Sequence, residues 1–172
     1  FRLSNYVSQE ILRSVYYSLI YPFLQYCIST WGSSAASNLK ILETLQKQAI
    51  RNICHQPRDA HTTPLFLSTN TLKLPEIHKL QVAKFTYNQL SNSIVGENSL
   101  VKLEDKHHYA TRATATNSLY LSSVKTKLGL RSINYQAPTI WNNIPKEIKD
   151  SKNINIFKNK YKKLLLKTYS QP

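Results

Sequence analysis

Apolar residues recur at helical spacing along three stretches of the first 90 residues, and this pattern constrains the fold most strongly. The stretches run from about Ser4 to Trp31, from Ala36 to His55 and from Pro75 to Leu90. Apolar side chains three or four residues apart share one face of a helix, and that face must be buried. Glycine is scarce, at 3 residues, which argues against a turn-rich β-sandwich. We therefore predict a mainly α-helical protein.

The first two predicted helices bury defined rows of side chains. In the first, two adjacent rows are expected to face inward: Val7, Ile11, Val15, Leu19 and Phe23, and beside them Leu12, Tyr16 and Ile20. Pro22 lacks a backbone N–H, so we expect it to kink this stretch or divide it into two helices. The predicted buried stripe of the second helix is Leu39, Leu42, Leu45, Ala49, Ile50 and Ile53.

The third predicted helix directs a similar stripe inward, made of Ile77, Leu80, Ala83, Tyr87 and Leu90. A short apolar turn around Pro64–Leu67 precedes it. Helices joined by short connections pack side by side. We therefore expect residues 1–90 to form one helical bundle.

The rest of the chain is predicted to form a linker and a smaller extension. Residues 91–116 are polar and rich in threonine, which is typical of a linker or loop. Residues 117–172 contain two β-prone runs, Leu119–Val124 and Lys127–Ile133, that favour a short hairpin. A lysine-rich helix is predicted from about Ile154 to Tyr169.

A dense block of aromatic residues and prolines, Asn134–Pro145 (NYQAPTIWNNIP), separates the predicted hairpin from the last helix. We expect Pro138 and Pro145 to bound a short helix in this block. The side chains predicted to pack it against the last helix are Tyr135, Ile140, Trp141 and Ile144. Stacking of Trp141 on a nucleic-acid base is the alternative interpretation.

The charge of the chain points to a polyanionic partner. It has 23 Lys and Arg against 9 Asp and Glu, a net charge of +14, which promotes binding to nucleic acid. No apolar run approaches the roughly 20 residues of a membrane span. Cations hold phosphates while aromatic and guanidinium groups stack on bases. The candidate contacts are Lys40, Gln46, Lys47 and Arg51 on the second helix, Tyr109 and Arg112 in the linker, and Lys158 and Lys162 on the last helix.

The sequence shows no arrangement typical of a catalytic or metal site. The only adjacent acidic pair, Glu104 and Asp105, lies in the predicted linker and is interpreted as a solvated surface pair. His55 and His61 are interpreted as residues of a helix end and a polar turn. Cys27 and Cys54 lack Cys or His neighbours at ligand spacing, so both are expected to be buried thiols of an intracellular protein. We expect no cofactor and no catalytic residue.

The order of motifs resembles the region after the polymerase palm in non-LTR (LINE-type, jockey-like) retrotransposon reverse transcriptases. The motifs that carry the resemblance are Val15–Cys27 (VYYSLIYPFLQYC), Trp31-Gly32, Leu45–Arg51 (LQKQAIR), Tyr109–Arg112 (YATR), Tyr135–Pro138 (YQAP) with Trp141-Asn142 and Ile144-Pro145, and Phe157–Lys160 (FKNK). They span nearly the whole chain. Each motif alone is weak, whereas their order and spacing are specific.

The resemblance implies a helical thumb from about Ser4 to Leu90, followed by a C-terminal extension. Such a thumb holds the RNA template and the growing DNA strand against the palm. The expected partners are therefore RNA, an RNA–DNA duplex and the upstream palm, which would carry the catalytic aspartates and Mg²⁺. Cytoplasmic ribonucleoprotein and the nucleus are the expected locations. The chain opens at Phe1 and contains no Met, so we expect it to be a piece of a longer protein.

Two other functions remain open from the sequence. The first is a host-retained remnant that acts as a basic scaffold for protein or RNA. The second is an independent nuclease or transferase, which has little support because no acid/base constellation is visible.

Overall fold

The computed structural model describes residues 6–91, 100–106 and 116–170, which are mainly helical and include no β-strand. The helices are α1 (Gln9–Val15), α2 (Tyr21–Gln25), α3 (Ile28–Trp31), α4 (Ala36–Ile53), α5 (Thr62–Ser68), α6 (Leu74–Ser91), α7 (Leu103–Lys106), α8 (Lys127–Arg131), α9 (Ile133–Asn142), α10 (Lys146–Lys149) and α11 (Ile154–Lys167). A π-helical segment, Tyr16–Ile20, lies between α1 and α2, and a 3-10 turn, Thr168–Ser170, follows α11. The predicted mainly helical class is confirmed.

The described residues divide into two compact units. Unit 1 contains residues up to His78 together with those from Leu164 onward, and unit 2 contains residues from Lys79 to Lys163. The unit boundaries therefore fall within α6 and α11. The predicted division into residues 1–90, 91–116 and 117–172 stays a prediction, since residues 92–99 and 107–115 lie outside the described residues.

The core of unit 1 is a cluster of apolar and aromatic side chains from α1, the π-helical segment, α4 and α5. Its fully packed members are Leu12, Tyr16, Ile50, Ile53 and Phe66. Burying a side chain of this size stabilises a fold by roughly 1.5–3 kcal/mol. Half-buried neighbours, including Tyr17, Tyr21, Ala49 and Tyr169, pack around the cluster.

Both rows predicted for the first stretch are only partly buried. Leu12 and Tyr16 are buried as expected, but Ile20 of the same row is 38% exposed, and Ile11, Leu19 and Phe23 of the other row are 52%, 61% and 80% exposed. A helix advances about 100° per residue, so a row spaced four residues apart drifts by about 40° at each step. Rows spaced in this way do not stay on one face along their whole length, so some of their members turn to solvent.

Pro22 affects the first stretch as predicted, because the α-helical pattern is interrupted there. Pro22 lies in the first turn of α2, where the missing N–H is tolerated. The π-helical segment directly precedes α2, and such π turns are rare and occur mostly as single bulges inside α-helices. Cys27 then adopts a left-handed conformation, with φ of 48°, between α2 and α3. This turn exposes Cys27, and Cys54 is only half-buried, so the prediction of two buried thiols is wrong.

The second and third predicted helices form within two residues of their expected ends, as α4 and α6. Ile50 and Ile53 of α4 are buried, as are Ile77, Leu80 and Ala83 of α6. Leu45 is the exception, since it is 55% exposed. The predicted apolar turn around Pro64–Leu67 is instead helix α5, which buries Phe66.

The predicted hairpin is wrong. Lys127–Arg131 forms α8, whose preceding Thr126 accepts the Gly129 N–H through its side-chain oxygen at 3.1 Å. Ser132 likewise caps α9 by accepting the Asn134 N–H. These side-chain caps favour helical turns over an extended pair. The β-prone residue Leu119 pairs with Lys102 in an isolated bridge.

The core of unit 2 contains an aromatic cluster around Phe157 of α11. Three rings stack on Phe157: Tyr87 at a centroid distance of 4.9 Å, Trp141 of α9 at 5.8 Å and Tyr161 of α11 at 5.9 Å. Trp141 is 3% exposed, and its indole N–H donates to the Asn117 carbonyl at 3.0 Å. Packing is therefore the observed role of the Asn134–Pro145 block.

Pro138 lies inside α9 and does not bound it, which corrects the expectation for this block. The proline removes the N–H that would reach the carbonyl of Asn134 one turn earlier. Asn134 is exposed, so water can satisfy that carbonyl. Pro145 is the N-cap residue of the next helix, α10, while α9 ends earlier at Asn142, so the two prolines do not bound one short helix.

Candidate nucleic-acid interface

Gln46 fixes the orientation of α4 in unit 1. It is 2% exposed, and its Nε2 donates to the Tyr16 hydroxyl at 3.0 Å and to the Leu72 carbonyl at 2.9 Å. Its Oε1 accepts the Leu74 N–H at 2.9 Å. The expectation that Gln46 belongs to an exposed basic cluster is therefore wrong. Three hydrogen bonds to residues outside α4 fix the rotation of α4 about its own axis. With this face turned inward, the neighbouring Leu45 is left exposed.

The basic residues of α4 are less buried than Gln46. Lys40 is exposed, whereas Lys47 and Arg51 are half-buried. Lys47 and Arg51 lie one helical turn apart, about 6 Å along the axis. The Arg51 Nε donates to the Ala60 carbonyl at 2.9 Å, which anchors the base of the guanidinium group against the loop before α5.

Lys47 borders a cleft of about 290 Å³ within unit 1. The cleft lies between α4, the beginning of α5 and the segment that leads into α6. Its lining residues are Glu43, Gln46, Lys47, His61, Thr62, Thr63, Phe66, Lys73 and Pro75. It therefore combines two lysines, an imidazole and two hydroxyl groups with a single carboxylate.

Lys73 is held in a defined position in this cleft. Its Nζ donates to the Thr63 hydroxyl at 3.1 Å and lies 4.4 Å from the centroid of the Tyr169 ring, a cation–π distance. The Tyr169 hydroxyl accepts the Lys73 backbone N–H at 2.9 Å and donates to a carboxylate oxygen of Glu76 at 3.0 Å. Burial raises the pKa of Tyr169, so this phenol stays neutral and donates. Sequence reasoning missed Lys73 because it belongs to no motif and lies between two helices.

The other predicted contacts lie elsewhere. Lys158 is exposed and Lys162 half-buried on the unit 2 part of α11. Burial, and to a smaller extent the positive charge of Lys158, lowers the pKa of Lys84, which shows that Lys84 and Lys158 are close. Tyr109 and Arg112 lie outside the described residues.

The acidic and histidine residues weighed in the sequence do not converge. Glu104 pairs with Lys102 at 3.1 Å on the surface. His55 and His61 are both exposed. In the part of the chain that the structure describes, no group of three or more His, Cys, Asp and Glu side chains could hold a metal ion. No helix among the described residues is both long and apolar enough to span a membrane.

Comparison of the chain with protein-family models, with curated proteins and with solved structures finds no match.

Proposed function

We propose that this protein binds nucleic acid through the basic side of α4, as the thumb and C-terminal part of a non-LTR retrotransposon RNA-directed DNA polymerase. The observation that carries the proposal is the position of Lys47 and Arg51, which share one side of α4 because they lie one turn apart. Gln46 holds the same helix in place through its bonds to Tyr16, Leu72 and Leu74. The net charge of +14 supports a polyanionic partner.

The proposed contacts are to phosphate and not to bases. Lys47 and Arg51 are spaced by about 6 Å along α4, close to the rise between phosphates of an extended strand. Phosphate contacts hold a strand in register without reading its sequence, which suits a polymerase that copies any template. The ligands expected from this role are RNA and an RNA–DNA duplex.

The experiment is a salt titration of RNA–DNA duplex binding by the variant Lys47→Gln/Arg51→Gln. Each lost phosphate contact should reduce the slope of log K against log salt by roughly 1, so the double variant should lose roughly 1 to 2. The loss should be similar for unrelated sequences. An unchanged slope would place the binding surface elsewhere, most naturally on α11.

The matched control is Lys125→Gln/Lys127→Gln, which removes the same net charge from exposed positions in unit 2. If this control weakens binding as much as the α4 variant, diffuse charge and not the α4 surface explains the affinity. Thermal unfolding of both variants should be measured, because Arg51→Gln removes the bond to the Ala60 carbonyl.

We also expect the chain by itself to show no template-directed extension and no nuclease activity with Mg²⁺. The resemblance assigns the catalytic aspartates to an upstream palm, and the chain would position the substrate for it. Extension of a primer by the purified 172-residue protein would refute this division of roles.

A further inference from the structure

We propose that the cleft between α4, the beginning of α5 and the segment before α6 binds one phosphate group of a nucleic-acid strand, and that Lys73 is its second cation. The inference rests on the proposed nucleic-acid binding, and it adds a defined subsite to it. We call this cleft, lined by Glu43, Lys47, His61, Thr63 and Lys73 among others, the phosphate cleft.

The lysines of the phosphate cleft come from separate elements and converge on one space. Lys47 projects from α4, and Lys73 lies just before α6. Ammonium groups are strong donors to phosphate oxygens, and the cleft also contains the hydroxyls of Thr62 and Thr63. Lysines that only contact solvent have no reason to face each other across one cleft, because their like charges repel.

Lys73 is positioned before any ligand arrives. The Thr63 hydroxyl and the Tyr169 ring hold its ammonium group, and Tyr169 is itself fixed by Glu76. Ordering a long side chain on binding costs roughly 0.5–1.5 kcal/mol, and this cost is largely avoided here. A preorganised cation is characteristic of a binding site, whereas exposed lysines usually remain mobile.

The size of the phosphate cleft restricts its ligand. Its volume of about 290 Å³ is at the lower limit of small-molecule sites, which span roughly 300–1,000 Å³. This space admits a phosphate with part of its sugar, and it excludes a base pair. The phosphate could be an internal diester or the terminal phosphate of a strand, and these two sources make the same contacts.

Glu43 provides a test that is independent of the lysines. Its carboxylate lines the same cleft and opposes an incoming anion, so its removal should strengthen binding. A basic surface acting through diffuse charge would respond equally to any lost carboxylate. Glu10 provides the comparison, because it is exposed on α1 and is not among the cleft residues.

The experiment uses the full chain and one RNA sequence made with a 5′-phosphate or a 5′-hydroxyl end. Binding of both oligonucleotides is measured for the wild type and for Lys73→Gln, Glu43→Gln, Lys127→Gln and Glu10→Gln. At about 50 mM salt we expect Lys73→Gln to weaken binding about five- to tenfold, and Lys127→Gln less than about twofold. Glu43→Gln should tighten binding about two- to fivefold, and Glu10→Gln should have a smaller effect.

The two oligonucleotides identify the source of the phosphate. A preference for the 5′-phosphate that disappears in Lys73→Gln assigns the cleft to a strand end. Equal binding of the two oligonucleotides, equally weakened by Lys73→Gln, assigns it to an internal diester. Either result supports the proposal.

The proposal is overturned if Lys73→Gln behaves like Lys127→Gln and Glu43→Gln behaves like Glu10→Gln. Should Lys73→Gln fail to fold, the comparison of Glu43→Gln with Glu10→Gln decides alone. Failure of the wild type to bind either RNA would overturn the proposed function together with the cleft. Weakened binding by Lys47→Gln/Arg51→Gln with no effect of Lys73→Gln or Glu43→Gln would overturn only the cleft.

Discussion

Each unit buries a polar side chain beside aromatic rings, but the side chain is neutral in unit 1 and ionisable in unit 2. Gln46 is 2% exposed and Lys149 is 6% exposed. Gln46 uses both its amide nitrogen and its oxygen in hydrogen bonds to three partners. The Lys149 Nζ donates to the Thr116 carbonyl at 3.1 Å and lies 5.6 Å from the centroid of a Trp141 ring.

The difference in hydrogen bonding indicates different roles: Gln46 orients a helix, whereas the fold of unit 2 only tolerates the burial of Lys149. Burying a neutral amide costs little free energy when all its hydrogen bonds are made. Removing that amide leaves its buried partners without hydrogen bonds, which destabilises the fold. A buried ammonium group loses much of its hydration, and burial accordingly lowers the pKa of Lys149. Unit 1 should therefore depend on its buried polar group, while unit 2 should depend on its aromatic cluster.

The largest effect is expected for Trp141→Ala, which removes one of the rings that stack on Phe157 in unit 2. Truncating a buried Trp should lower the free energy of unfolding by about 3 to 5 kcal/mol. Denaturant unfolding measures this loss. The control Trp31→Ala, a half-buried Trp in unit 1, should cost less. An unchanged midpoint together with lost RNA binding would instead identify Trp141 as a base-stacking residue.

The second prediction concerns the polar anchor of unit 1. Gln46→Leu keeps a similar volume but orphans the Leu74 N–H and the Leu72 carbonyl. Each orphaned buried group costs roughly 1 to 3 kcal/mol, so we expect a loss of about 2 to 4 kcal/mol. Gln48→Leu, at a half-buried position of the same helix, is the matched control. Equal effects of the two substitutions would show that Gln46 does not anchor α4.

The main helices of unit 1 could be predicted from the sequence, whereas the buried role of Gln46 could not. The bounds of α4 and α6 follow from apolar spacing, which is a local property. A glutamine beside Lys47 is indistinguishable from a surface residue, because its partners are backbone groups at Leu72 and Leu74 that tertiary structure brings near. Lys73 was missed for the same reason.

Local capping explains the main error in unit 2. The run after Lys127 has β-prone residues, yet the side chains of Thr126 and Ser132 satisfy helical N–H groups. Propensity for strands is a weak and context-dependent preference, whereas a cap is worth about 1 kcal/mol at a defined position. Trp141 was placed correctly because its size alone favours burial.

The third prediction distinguishes the units by pH. Burial raises the pKa of Tyr16 to about 12, so its stabilising contribution is complete below the unfolded pKa near 10 and is lost as the pH rises through 12. At about 1.4 kcal/mol per pKa unit, unit 1 should lose on the order of 3 kcal/mol in this window. Burial also raises the pKa of Tyr21, which adds to the loss in the same direction.

The measurement is denaturant unfolding followed by tryptophan fluorescence between pH 8 and pH 12. The chain has 2 tryptophans, with Trp31 in unit 1 and Trp141 in unit 2. A Trp141→Phe background therefore reports unit 1. Tyr16→Phe should flatten the pH dependence above 10, and an unaltered curve would contradict the assignment to Tyr16.

The smallest effect is expected for Lys149→Met, which tests whether the buried amine of unit 2 is only tolerated. The substitution removes the bond to the Thr116 carbonyl and the contact with Trp141, but it also removes the desolvation penalty. Replacing a buried charge with an apolar side chain of similar size is often neutral or stabilising, so we expect a change below about 1 kcal/mol at neutral pH.

The pH dependence of the stability of unit 2 gives a second test of Lys149→Met. A side chain that acts only through packing would not alter this pH dependence. Because burial lowers the folded pKa of Lys149, the penalty is present at neutral pH and is relieved as the pH rises from the folded pKa toward the unfolded value near 10.4. Wild-type unit 2 should therefore gain stability over this range, opposite in sign to the loss expected for unit 1 above pH 10. Burial also lowers the pKa of Lys84 in the same unit, so Lys149→Met should lose part of the gain. In a Trp31→Phe background, Trp141 fluorescence reports it. A loss at neutral pH as large as that of Gln46→Leu would mean that Lys149 anchors unit 2 as Gln46 anchors unit 1, and the contrast between the two cores would fail.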